Sequence, residues 1–529
     1  MGTMLIEQRP AIQRKQWKAL TLKFIVASYL ICSQIEVFGV TWNVVPSVQL
    51  QEIYSDNIRL SPPGSEIGAF VTEVSPGVSI IANSAKSRLN LNYRMQNLYN
   101  SNGDSKFRIA NQLQHSSTTT LSNNLLFLNT GSSISQQNLN NIRSANDNIS
   151  GTGNSTTVST FNISPYITPR FGNLARGNFR FNFNTVTVGS NATVANAISD
   201  TVSLEETLQL SSGPDFKRIS WGLSFDNNES LRSNSDDVRF QTANATIRAA
   251  LSPYFNVFTQ GGFSNNSFQN NTTTSNNGAF YTVGAQWIPS QRYSIEAGYG
   301  NNSFVTVNLS PIQRFSWSTT YRNRKVGLNT GDTFQTNLNY KTRNSIWTIA
   351  HDNDTTTTQA LLLQQRVFTL QDPFGNTLLN PVTNQPVQFA INLPTLTNEV
   401  ITRKRWSFSV SYQTGKSTVT ANAFNEDRVF QITRRNEEVR GLGASWTWQF
   451  APKTSAFINP NWQQSNGAVS LIDNSSSNLT RYDVAVGINR SINNAATGRL
   501  EFRHLNQTSS TLANEFQENR ATASVNMRF

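Results

Sequence analysis

A single cysteine in 529 residues excludes a disulfide framework and any cysteine-rich zinc or iron–sulfur site. Histidine is almost as scarce: His115, His351 and His504 are too few and too far apart in the sequence for a metal centre or a catalytic dyad. Charge is low, at 14% against roughly 25% in ordinary globular domains, and hydrophobic residues reach 37% where about 45–50% is usual. No apolar run after residue 40 approaches the ~20 residues a membrane helix needs, and none shows a convincing helical period. Neither a phosphate-cradling glycine loop nor a nucleophile elbow occurs, so no catalytic residue, cofactor site or metal ligand is nominated. What fills the chain instead is Asn, Ser, Thr and Gln. With 10% aromatics and little charge this is not the composition of a disordered chain.

The first 39 residues read as a secretory signal. Arg9, Arg14, Lys15, Lys18 and Lys23 form a basic region, the apolar run 24–32 follows, and Val37-Phe38-Gly39 suits cleavage. The mature chain is expected to begin near Val40. Its removal takes five basic and two acidic residues from totals of 43 and 31, leaving a net charge of +9, and it removes Cys32 as well. A basic balance suggests nucleic acid in a cytoplasmic protein, but export takes this chain out of that compartment.

The remainder, 40–529, alternates with a period of two. In 218–226 the large apolar residues Ile219, Trp221, Leu223 and Phe225 are separated by small or polar ones, and the same pattern recurs around Trp406, Leu442 and Tyr482. Tight turns at 211–215, 251–253, 289–291, 414–416, 451–453 and 492–494 alternate with polar loops near 138–154, 189–200, 227–236, 264–277, 354–399, 466–477 and 506–515. Short turns on one side and long loops on the other, joined by strands that often reach 10–14 residues, are the marks of a membrane barrel. A soluble sandwich or solenoid also alternates, but its strands are usually ~5–6 residues long. The expectation is an all-β chain forming one transmembrane outer-membrane barrel of 24 antiparallel strands (range 20–26). Its last strand, 520–529, would place Val525, Met527 and Phe529 on one face.

Two groups of segments resemble a known family. Residues 126–137 (LFLNTGSSISQQ) and 163–172 (ISPYITPRFG), then 288–292, 297–300, 358–365, 393–399 and 411–416, are similar in order to the PEP-CTERM system-associated outer-membrane proteins, encoded beside exosortase and exopolysaccharide genes. Asn129 stands where the family pattern has Asp. The resemblance implies a location and a context, with exopolysaccharide or envelope export components as partners. It implies no reaction. Bacterial outer-membrane barrels also commonly end in Phe, which the barrel assembly machinery reads; Phe529 matches.

Two features point to function. Arginines recur on the polar faces: Arg88, Arg94, Arg218, Arg239, Arg248, Arg314, Arg481, Arg499, Arg503, Arg520 and Arg528. Facing a lumen they favour anions; paired with neighbours such as Asp483 and Glu501 they are structural. The segment 354–399 exceeds the ~12–15 residues of an ordinary loop and carries Leu361, Leu362, Leu363, Phe368 and Phe389, apolar groups poorly left in water. It is expected to fold inward as a plug or to pack as a lid, the alternative being an outward hairpin. His351-Asp352-Asn353-Asp354 is the one dense polar cluster that suits a cation, and a solvated strand end explains it as well. A passive or gated export pore contacting outer-membrane lipid follows, with a scaffold barrel lacking transport as the alternative.

Overall fold

The computed structural model describes residues 39–102, 106–140, 142–143, 145, 147–189, 198–269, 276–364, 395–469 and 476–529. Residues 1–38 of the expected signal segment, Phe368 and Phe389 lie outside them. The sheet holds 25 strands, of which Arg170–Phe171 is a two-residue clip inside a turn; the other 24 are antiparallel staves of a closed barrel. Closure is made by the first strand, Thr41–Ser55, and the last, Phe516–Arg528, in register from Ser47 opposite Arg528 to Ser55 opposite Arg520. Phe529 extends this seam, its amide donating to the Pro46 carbonyl at 3.0 Å.

Strict alternation assigns every side chain to one of two faces. The outward face carries aliphatic residues such as Val44, Leu50, Leu442 and Leu500. Trp42, Trp287, Trp347 and Trp448 lie toward the short-turn ends, and Tyr54, Tyr99, Tyr281 and Tyr482 toward the long-loop ends. An apolar band between aromatic belts, on a sheet with no open edge, is the solution a bilayer demands, since every backbone polar group must find a partner within the protein.

The polar strands extend further than hydrophobic alternation shows. The loop expected from 506 begins after Ser509, and 354–357 still belong to the strand Ser345–Thr357. Above the bilayer the backbone pairing continues while the apolar residues that mark it stop. A helix also stands where no helical period is legible, at Thr358–Gln364. Its seven residues are too few to show one.

Wall height is uneven. The strands Tyr293–Gly300 and Asn302–Leu309 have 8 residues each, against 13–16 over most of the barrel. At ~3.3 Å per residue and ~40° tilt, 8 residues rise about 20 Å and 16 about 40 Å. The rim on the long-loop side therefore dips at the turn Gly300–Asn302 to about the membrane surface.

The candidate pore and its mouth

Two segments fold inward at the long-loop end. The first is made of residues 358–364 and 395–399. From the top of Ser345–Thr357, the seventeenth stave, the helix Thr358–Gln364 crosses to the fifth, sixth and seventh staves, Leu126–Asn138, Ser155–Ile167 and Ala175–Val188. Leu362 and Leu396, 2% and 0% exposed, pack there with Leu139, Val158, Val186 and Ile198, with Leu363 against the cluster, and Leu361 is buried as well. The Leu396 amide donates to the Leu139 carbonyl at 2.9 Å. Asn398 clamps the far side: its Oδ1 accepts from the Ser199 amide at 2.8 Å and from Gln359 Nε2 at 3.1 Å, its Nδ2 donates to Ser199 Oγ at 3.0 Å, and its carbonyl accepts from Arg232.

This crossing pinches the barrel. A circular 24-strand barrel would be about 45–50 Å across, yet a seven-residue helix rises only about 10 Å. It still joins staves ten places apart, so opposite walls approach each other at the mouth and divide it into two parts.

The second segment, 139–154, fills one half. Ile142 packs with Ala468 and Leu479, while Ala145 packs with Leu60, Leu505 and Phe516. Asp147 accepts from Arg520 Nη1 at 2.6 Å and also from Arg503, and Ser150 donates to Glu518. Asn148 donates to Gln96 and Gln136, each at 2.9 Å. Burial alone raises the Asp147 carboxyl; Arg520 and Arg503 outweigh it and hold the group well below the ordinary carboxylate range.

These contacts belong to a belt of charged groups around the same half. Asp354 receives both Nε (3.0 Å) and Nη2 (2.9 Å) of Arg403. Glu426 receives Arg405 at 2.9 Å and Arg428 at 2.7 Å, and Arg428 reaches Glu437 at 3.4 Å. Beyond these, Asp483 takes both Nε and Nη2 of Arg503, and Arg520 donates to Glu518 at 2.9 Å. Arg428, Glu426 and Glu437 are at most 1% exposed, so this part of the belt is enclosed. Buried ion pairs contribute little net stability, but breaking one by removing a partner costs about 3–5 kcal/mol.

The sequence-nominated residues therefore divide. Arg481, Arg499, Arg503 and Arg520 face inward in the filled half, Arg503 with Asp483 and Arg499 with Glu501. Arg88, Arg94 and Arg528 also face inward, Arg94 donating at 3.1 Å to both Gln112 and Gln49. Arg218 and Arg314 sit exposed in the short turns. Arg239 is corrected: register puts it opposite Glu229 on the outward face with Ile247 and Leu251, because it lies an odd number of residues from Arg248. Val525, Met527 and Phe529 share the outward parity.

The His351–Asp354 cluster is dispersed by the same alternation. Asp352 and Asp354 point inward beside Arg405 and Arg403, while His351 stacks outward on Trp406 with ring centroids 4.4 Å apart. Among the described residues no group of three or more His, Cys, Asp or Glu is placed to hold a metal.

Sequence reasoning missed a row in the other half. Register aligns Arg248, Phe258, Gly284, Gly298, Phe304 and Arg322 across six consecutive staves, all facing inward. The two glycines let the rings lie flat on the wall: a Cβ on Gly284 would stand 2.5 Å from Phe258 Cζ, and one on Gly298 3.0 Å from Phe304 Cε1. The rings stack 5.9 Å apart. Arg248 stands 5.0 Å over Phe258 and Arg322 5.7 Å over Phe304. The signal was present as parity: Arg322 and Arg324 alternate with Trp317 and Tyr321, which mark the outward face of their strand.

A closed apolar-belted barrel with a polar, constricted lumen defines a transmembrane β-barrel of the bacterial outer membrane. Among solved structures, the apoprotein of the FrpB iron transporter from Neisseria meningitidis (F5-1 variant) is similar over 94% of this chain and 82% of its own, with 12% identity and a TM-score of 0.45. The siderophore receptor PirA from Pseudomonas aeruginosa matches at 8% identity and TM-score 0.38 (92% and 80% covered), and the outer-membrane protein OpdK from the same organism at 7% and 0.30 (92% and 99%). None of these likenesses is close enough to bear on what this chain carries. No protein-family model matches the sequence. No curated protein matches it.

Proposed function

We propose that this barrel is a gated conduit of the outer membrane, narrowed at its outer mouth by the leucine-docked crossing 358–364 and 395–399. The observation that supports this most directly is the burial of Leu362 and Leu396 against the opposite wall. A barrel this wide leaves an aqueous path unless something occupies it, and here the occupying segment is tethered at Thr357 and Val400, which face each other across adjacent staves. The family resemblance suggests an exopolysaccharide or another envelope component as cargo, with export proteins as partners and the barrel assembly machinery gripping the strand that ends at Phe529. A scaffold without transport is the competing reading, favoured by the filled half of the lumen.

The test is single-channel conductance of the refolded mature protein in a planar bilayer, with and without 358–399. Because Thr357 and Val400 are register partners, an Asn-Gly turn closes the gap. A conduit passes current, and the deletion raises it severalfold. Equal conductance in both proteins removes the gate; two folded, inserted and silent barrels favour the scaffold.

A further inference from the structure

We infer that the row Arg248, Phe258, Gly284, Gly298, Phe304, Arg322, together with Arg324, is an oxyanion-binding selectivity site on the wall of the half of the lumen away from 139–154. The inference rests on the conduit reading and assigns its path and solute class. Three observations carry it.

The first is placement. Gly298 lies two residues below Gly300, at the lowest point of the rim. The loop 325–330 bridges this dip, its Gly327 amide donating to the Asn276 carbonyl at 2.7 Å and Asn276 Nδ2 to Thr330 Oγ1 at 3.0 Å, and the row lies on the staves below it, on the side of the crossing away from 139–154.

The second is charge. Among the described residues, Arg248 with Glu296 at 3.0 Å is the ion pair of this wall, and neither Arg322 nor Arg324 has a carboxylate in ion-pair contact. Arg322 Nε is buried without a hydrogen-bond acceptor, and Arg324 meets the Leu328 carbonyl at 3.5 Å. The segment 365–394 adds one acid, Asp372, against Arg366. In the filled half, by contrast, the arginines are largely spent on carboxylates.

The third is preorganisation. A guanidinium held over a ring keeps its N–H fork directed sideways, the geometry that suits carboxylate or phosphate oxygens bidentately. Arg322, held over Phe304, and Arg324, two residues on, put two guanidiniums on one face of the same strand.

The experiment uses the full mature protein. Chloride-over-potassium preference, from reversal potentials in a KCl gradient, is compared with the double variant Arg322→Gln/Arg324→Gln and with Arg94→Gln, whose guanidinium lies in the other half. The double variant is expected to lose preference by about threefold while Arg94→Gln keeps it. Calorimetric titration with sodium galacturonate and with inorganic phosphate gives a readout that needs no current, and affinity is expected to fall about tenfold in the double variant. Binding of both probes marks a general oxyanion site, and binding of galacturonate alone marks a sugar-acid site. The inference is overturned if the folded double variant keeps both wild-type preference and wild-type affinity, if neither probe binds the wild type, or if Arg94→Gln loses preference equally. If no protein conducts but the probes still bind at Arg322 and Arg324, the conduit fails while the site stands.

Discussion

Truncating the two leucines that seat the crossing, Leu361→Ala/Leu362→Ala, tests the gate without touching the barrel's hydrogen-bond network. Leu361 is 5% exposed and Leu362 2%, and Leu362 packs in one cluster with Leu396, Val158 and Val186. A buried Leu→Ala change costs roughly 2.7–5.0 kcal/mol, the spread reflecting how far the site collapses. Changes at adjacent residues do not add fully, so about 5 kcal/mol is a reasonable total. At 1.4 kcal/mol per decade, the docked-to-undocked ratio falls between about 10³ and 10⁴. The backbone clamp through Leu396 and the Asn398 contacts remain, so the crossing detaches and rebinds. In a planar bilayer the variant should show long high-conductance openings with the current of the 358–399 deletion, interrupted by returns to the wild-type level. Heat-modifiable gel mobility should be unchanged, because neither leucine belongs to a stave. A folded variant whose conductance and dwell times match the wild type would refute the docking argument.

Asn398→Ala removes the clamp on Ser199 and Gln359 and should raise open probability less than the leucine pair, by about tenfold, read in the same recordings. Arg428→Met takes from Glu426 and Glu437 the guanidinium they share in an enclosed site and should lower barrel stability by about 3–5 kcal/mol in denaturant titration; an unchanged midpoint would sink the belt's structural role. Because the folded-state value of Asp147 is depressed, its contribution is fully present above the unfolded carboxylate value and is lost as pH falls through the folded one. Protease protection of 139–154 should therefore be constant from pH 8 to pH 5 and disappear only in stronger acid. Phe529→Ala should slow membrane assembly; unchanged membrane yield and heat-modifiable mobility would count against a signalling role for that residue.

The barrel was legible in the sequence because a lipid face leaves a period-two record, as in Ile219, Trp221, Leu223 and Phe225, and because turns such as 414–416 punctuate it. The cost of exposing leucines at 361–363 is legible in the sequence, but which residues cover them is not. Leu139, Val158, Val186 and Ile198 are scattered residues whose meeting with Leu362 and Leu396 depends on which staves oppose one another. Polarity alone does not sort the arginines by face: Arg239 falls on the outward face by register, and Arg322 and Arg324 sit on a short strand whose alternation is faint. Whether an arginine is paired is a property of register across strands, and a single strand does not record it.

The segment 139–154 bridges the two ends of the chain's wall. Asp147 holds the penultimate and last strands through Arg503 and Arg520, and Ser150 meets Glu518, which also accepts from Ser55 of the first strand at 2.6 Å. Residues more than 450 positions apart come together there. These anchor points are assembled only when the first and last strands have paired, so this segment seats after the cylinder is complete and fastens its join from within. A protein built this way stoppers part of its lumen with the same contacts that lock its seam, so the plug and the closure of the wall stand or fall together.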